Sequence, residues 1–124
     1  MVVLICDDDA MNRQFLANAL SLMNCQTVLA SNGTEGIALA SQETPDLILM
    51  DQTMPDMKGY EAMKAIRKNP SLANIPFVMI TGDFEVQEFV EKDKPKNCAF
   101  LPKPYSLEQL QTTIALALGR SFPT

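Results

Sequence analysis

Five side chains stand where short apolar runs stop. Asp7 and Asp8 follow Val2-Val3-Leu4-Ile5-Cys6, and Asp51 follows Leu47-Ile48-Leu49-Met50. Thr81 follows Phe77-Val78-Met79-Ile80, and Lys103 follows Cys98-Ala99-Phe100-Leu101-Pro102. A carboxylate at the end of a run buried on both faces is costly unless something pairs with it or uses it. Carboxylates brought together repel and cannot all ionise cheaply without a cation. Hard oxygen donors suit Mg2+, which keeps several waters and shares its shell with phosphate. A lysine adds positive charge, and a threonine adds a hydroxyl donor. Together they fit a phosphoryl group arriving on a carboxylate nucleophile, a chemistry in which the protein mostly positions groups and neutralises charge. Each residue also has a plainer role. Asp51 suits a turn, Asp7 a helix N-terminus, and Thr81 an ordinary strand end.

Such residues need a frame that brings strand ends to one edge, and the hydrophobic pattern supplies it. The first run is followed by a helical pattern in which Met11, Phe15, Leu16, Ala19, Leu20 and Met23 fall at three- and four-residue spacings, with Asp9 as N-cap. Thr27-Val28-Leu29-Ala30 reads as a second strand. Asn32-Gly33-Thr34-Glu35 then has the form of a capping box opening a helix that Thr44-Pro45 stops. Gly59 releases a third helix carrying Tyr60, Met63 and Ile66, ending before Asn69-Pro70. A fourth strand spans Ile75 to Ile80, and Phe84, Val86, Phe89 and Val90 mark a short fourth helix. After the fifth strand, Ser106-x-x-Gln109 forms a second capping box. The fifth helix buries Leu107, Leu110, Ile114, Ala117 and Leu118 and ends at Gly119. Strand and helix alternate through the chain, so the expected architecture is α/β. It is a flavodoxin-like, doubly wound, five-stranded parallel sheet of order 2-1-3-4-5, with helices on both faces. In that order ligands bind beyond the carboxyl ends of the strands, at the crevice between strands one and three. Asp7, Asp8 and Asp51 flank that crevice.

Composition narrows the function. At 124 residues the chain makes one domain, taken as 1–119 with 120–124 as a loose tail. A net charge of −5 argues against direct nucleic-acid binding, which rewards clustered Lys and Arg. His is absent, which removes the usual general base and the usual zinc ligand. Cys6, Cys25 and Cys98 form no Cys-x-x-Cys pair and read as core residues in a reducing compartment. No membrane-span-length apolar run or signal-peptide layout is present, so a cytoplasmic location is expected, with no membrane partner.

With these motifs in place, the chain resembles the receiver domain of two-component response regulators over essentially its whole length. The matching residues are Leu4-Ile5-Cys6-Asp7-Asp8-Asp9 with Asn12-Arg13, Asp46 through Asp51, Met54-Pro55 with Gly59, Met79-Ile80-Thr81, and Phe100-Leu101-Pro102-Lys103-Pro104. The resemblance implies that Asp51 accepts a phosphoryl group from a phosphohistidine on a sensor histidine kinase or a histidine phosphotransfer protein. It implies Mg2+ held by Asp8, Asp51 and the backbone carbonyl of Thr53, with Asp7 acting largely through water. Thr81 and Lys103 would contact the phosphoryl oxygens. Thr81 and Phe100 would relay the change to the face made by the fourth helix, fifth strand and fifth helix. Phe100 as plain core stands as the rival to that last role. The Lys103-Pro104 bond is expected to be cis, as in relatives.

The resemblance describes a phosphoacceptor switch acting as a monomer or a phosphorylation-dependent dimer, not a dedicated enzyme. Its phosphorylation and dephosphorylation would be self-catalysed. Two alternatives stand beside it. One is an aspartate-nucleophile, Mg-dependent phosphohydrolase; such enzymes usually carry a second Asp two residues on, where this chain has Thr53. The other is a degenerate receiver used only for docking. Pro95-Lys96-Asn97 replaces the small turn common before the fifth strand, and Lys96 is a poor residue for a positive φ. An unusual fourth-helix region is therefore expected, as is an unusual output surface.

Overall fold

The computed structural model describes residues 1–82 and 96–123. Its strands are β1 (Val2–Cys6), β2 (Gln26–Ala30), β3 (Leu47–Asp51), β4 (Phe77–Thr81) and β5 (Cys98–Pro102). They pair in parallel in the order β2-β1-β3-β4-β5, the flavodoxin-like order expected. The described helices are α1 (Ala10–Leu22), α2 (Gly33–Glu43), α3 (Gly59–Arg67) and a C-terminal helix (Leu107–Leu118), with a short 3-10 turn at Pro70–Leu72. The expected helix through Phe84, Val86, Phe89 and Val90 lies outside the described residues. Among the described residues, no helix is long and apolar enough to cross a membrane.

The two-residue period of a strand sorts the core. Leu4, Cys6, Ile48, Met50, Phe77 and Met79 point to one face, where they pack with Ala40 of α2 and Ala62, Met63 and Ile66 of α3. Val3, Ile5, Leu47, Leu49, Val78, Ile80 and Leu101 point to the other, with Leu16, Ala19 and Leu20 of α1 and Leu110, Ile114 and Ala117 of the C-terminal helix. Both faces of β1, β3 and β4 are therefore buried, which is why these strands read as continuous apolar runs rather than alternating ones.

The caps largely follow the sequence. Asp9 accepts from the N–H groups of Met11 and Asn12, and Ser106 and Gln109 form a complete capping box. Gly119 closes the C-terminal helix at φ 70°. At α2 the expected box is split. Asn32 accepts from Glu35 N–H at 2.8 Å, but the Glu35 carboxylate reaches Ser31 N–H instead of the cap residue.

Two expectations about helix faces need correction. Met11 and Phe15 are exposed, at 82% and 52%. At 3.6 residues per turn they sit roughly 140° and 100° around α1 from Leu16, off the stripe that meets the sheet. Leu107 is also exposed, in the first turn of its helix. The positive φ before β5 falls on Asn97 (52°), not Lys96, and Asn is the residue that tolerates it. Past the C-terminal helix, half-buried Phe122 packs against the α1 side of the core.

Candidate functional site

The end of β1 turns sharply into α1, and the turn is tied down by its own acids. Asp7 Oδ1 accepts from Asp9 N–H at 2.9 Å, Asp7 N–H donates to Ala30 O at 3.1 Å, and Arg13 Nη1 donates to the Asp7 carbonyl at 2.6 Å. Asp7 is thus fixed and buried, while Asp8 is exposed at the lip. From β3, Asp51 arrives at the same edge, 5% exposed. Carboxylate oxygens of Asp7, Asp8 and Asp51 all lie within 4.8 Å of one another.

The counter-charge comes from the far side of the sheet. β5 ends at Pro102, and Lys103 Nζ reaches Asp51 Oδ1 at 3.3 Å. Lys103 N–H donates to Thr81 O at 3.0 Å, which ties the lysine's backbone to the end of β4. The Lys103-Pro104 bond is cis, as expected. Thr81 is buried at the end of β4, the strand beside β3. Phe100 is half-buried on β5, paired with Met79 and packed on the α2–α3 face of the core. Strand alternation therefore gives Thr81 and Phe100 one face of the sheet and Asp51 the other.

Among the described residues, the site is short of positive charge. Burial pushes the Asp51 carboxyl up, while Lys103 and the Thr53 N–H pull it down without cancelling the burial. Burial likewise raises Asp7; the Asp9 N–H opposes it, and the Asp51 carboxylate adds to it. Half-buried Tyr105, just past Lys103, is raised by burial and by the nearby Asp7 and Asp51. Among the described residues, Lys103 pairs with Asp51 beside a cluster of three carboxylates, and every donor in that cluster is a hard oxygen. That donor set and charge balance fit a divalent ion such as Mg2+.

The structure thus brings Asp7, Asp8, Asp51 and Lys103 together, with Thr81 on the adjoining strand end, exposed Thr53 on the loop after β3, and Phe100 apart from the cluster. Two residues that hold the loop beside the site, and one that braces the opposite edge of the sheet, were not visible in the sequence. Gln52 is buried, and its Oε1 accepts from Tyr60 N–H at 2.8 Å, starting α3. Asp56 bonds across to α2. Arg67, at the end of α3, donates to the carbonyls of Ile75 and Lys96 at 2.8 and 2.6 Å. Tyr60 and Ile75 lie 8 positions from their partners, and Gly33, Thr34 and Lys96 lie 22 to 29 positions away, so none falls at a capping or turn spacing that a local pattern would mark.

Residues 3–115 match the family model described as the response regulator receiver domain. Protein PilH of Pseudomonas aeruginosa is 33% identical over 117 residues, covering 94% of this chain and 97% of its own. The polar-differentiation response regulator DivK of Brucella anthropi is 30% identical over 118 residues, covering 94% and 95%. The chain spans about half the length of other relatives: the probable transcriptional regulator ycf27 of Guillardia theta is 33% identical over 119 residues, 96% of this chain but 46% of that protein. Among solved structures, the chemotaxis protein CheY4 of Vibrio cholerae superposes with a TM-score of 0.85 at 29% identity, covering 94% of this chain and 98% of that one. Receiver domains are signalling switches rather than dedicated enzymes, bind Mg2+ at an acidic pocket and take phosphoryl groups from sensor histidine kinases. By sequence match and by fold, this chain belongs to the response regulator receiver domain family.

Proposed function

We propose that the protein is a phosphorylation-driven switch whose phosphoacceptor is Asp51. The observation that carries this reading is the buried Asp51 carboxylate, with Lys103 3.3 Å away and Asp7 and Asp8 alongside. A carboxylate oxygen of Asp51 attacks the phosphorus of a phosphohistidine on a sensor kinase or phosphotransfer protein. The new O–P bond forms as the N–P bond breaks, and the imidazole leaves with the bonding pair. This chain has no His, so the donor imidazole lies outside it.

Asp8, Asp51 and the Thr53 carbonyl would hold the cation, with Asp7 acting through water. Bound there, Mg2+ supplies positive charge against the phosphoryl oxygens and the clustered acids. Lys103 offsets charge on the transferred group, and the Thr81 hydroxyl donates to one of its oxygens. Thr81 and Phe100 share a sheet face on adjacent strands, which supports a relay from the site to the surface that includes β5 and the C-terminal helix. The unit is 1–119, and the phosphoryl group is gained and lost by the domain's own chemistry. Exposed Met11 and Phe15, with Phe15 beside Lys103, Pro104 and Tyr105, give the phosphodonor protein an apolar rim to meet.

The test is intact mass after incubation with acetyl phosphate, with and without Mg2+. One added phosphoryl group that requires Mg2+ and is absent in Asp51→Asn supports the reading. Continuous phosphate release at many turnovers per chain would replace it with a hydrolase.

A further inference from the structure

Helix α2 has its first N–H groups served from a distant part of the chain. Asn32 takes the Glu35 N–H, which leaves the Gly33 and Thr34 amides among the orphan donors of the first turn. Both go to Asp56, in the loop between β3 and α3. Asp56 Oδ1 accepts from Gly33 N–H at 2.9 Å; Oδ2 accepts from Thr34 N–H at 2.8 Å and from the Thr34 hydroxyl at 2.6 Å. Bonds to an ionised acceptor are the short, strong kind, and the positive end of the α2 dipole reinforces them. The Thr34 hydroxyl, with the Thr34 and Gly33 amides, lowers the carboxyl to about 2, as expected for an ionised acceptor of three hydrogen bonds. The loop is also pressed against α2: a Cβ on Gly33 would come within 2.8 Å of Met57 Sδ.

The same loop is fastened where it joins α3. Gly59 N–H donates to Gln52 O at 2.9 Å, and Tyr60 N–H to Gln52 Oε1 at 2.8 Å. Thr53 lies between the two fastenings. Its backbone helps lower the Asp51 carboxyl, and its carbonyl is a ligand in the function proposed above.

From this geometry we infer that Asp56 is a positioning residue for the phosphoacceptor site. By gripping the first turn of α2, its carboxylate holds the β3–α3 loop so that the Thr53 carbonyl is set for the cation. The inference rests on the proposed roles of Asp51 and Thr53. The Asp56 bonds run to α2 rather than to Asp51, so its effect passes through the loop.

The test is a Mg2+ titration of the full chain beside Asp56→Ala, Asp56→Asn and Thr34→Val. It is read by calorimetry and by the rate of phosphorylation from acetyl phosphate at each Mg2+ concentration. Asp56→Ala is expected to raise the Mg2+ dissociation constant and the half-saturating Mg2+ concentration by about tenfold, the usual scale for a residue that orients a metal ligand. Thr34→Val, which removes one of the bonds, should raise both about two- to threefold. The rate at saturating Mg2+ should stay within about twofold of the parent, since no group on the transferred phosphoryl is lost. A role confined to stability would lower the melting temperature and leave the Mg2+ dependence alone. A folded Asp56→Ala or Thr34→Val chain with parental Mg2+ affinity would overturn the inference while leaving the switch intact. A parent chain that neither binds Mg2+ nor takes a phosphoryl group would overturn the reading beneath it.

Discussion

Lys103 Nζ lies 3.3 Å from Asp51 Oδ1, with the Asp51 side chain 6% exposed and the lysine 36% exposed. The pair joins β3 to the end of β5 across the mouth of β4. Among the described residues, it sets the Lys103 charge against three clustered acids.

Removing the lysine should separate two effects. Lys103 is the main influence lowering the Asp51 carboxyl against its burial, so Lys103→Ala should push that carboxyl further up. Phosphorylation by acetyl phosphate should slow about 100-fold, the scale of losing one charge-stabilising donor. Mg2+ affinity should rise, because a competing cation has gone. Rate and calorimetry on the same protein check both directions; a fall in Mg2+ affinity would contradict the account.

Stability without a divalent ion should decline as pH rises. Burial lifts the Asp7 and Asp51 carboxyls above their ordinary 3.8. Above that value and up to the raised ones, the folded chain binds protons that the unfolded chain has released. The stabilisation is full below the ordinary value and is lost as pH climbs through the raised values. Asp51→Asn removes one of the buried charges and should raise the metal-free Tm at pH 7 by about 2–5 °C. Millimolar Mg2+ should stabilise the parent more at neutral pH than at pH near 4, where protons compete for the acids. Thermal melts across pH with chelator and with Mg2+ provide the check.

Gly59→Ala should be severe. A Cβ there would overlap the Asp51 carbonyl oxygen and approach Met50 Cγ at 2.9 Å. The first of these is backbone at the end of a central strand and cannot swing aside. Urea unfolding should show a loss of about 3 kcal/mol. A Gly59→Ala chain as stable as the parent would mean that α3 does not start this close to β3.

Arg67 is expected to matter through geometry rather than charge. Its guanidinium serves the carbonyls of Ile75 and Lys96 and lies 5.2 Å from the Phe77 ring centroid, fixing the approach to β5 from α3. Arg67→Ala should cost about 2–3 kcal/mol in urea unfolding. Arg67→Lys should recover little of it, because an ammonium cannot reproduce the planar fork.

These residues also mark the limits of the sequence. The strands β1, β3 and β4 were legible because each is a short apolar run with both faces buried, and the caps at Asp9 and Ser106 because capping is local. The positions of Asp7, Asp8, Asp51 and Lys103 at one edge followed from strand ends and strand order. Met11 and Phe15 were misplaced because three- and four-residue spacing admits more residues than the narrow stripe of α1 that meets the sheet. Asp56 and Arg67 could not be read at all. Each is an ordinary charged residue until the fold carries it to backbone groups 22 and 23 positions away in one case and 8 and 29 in the other.

The central claim concerns which atom takes the phosphoryl group, and borohydride trapping tests it most directly. Borohydride reduces an aspartyl phosphate to homoserine, which peptide mass spectrometry assigns to a residue. After acetyl phosphate and Mg2+, the account predicts homoserine at position 51 alone, and none when Mg2+ is chelated. Homoserine at position 7, 8 or 56, or none in a chain shown to bind Mg2+ and exposed to the donor, would contradict it.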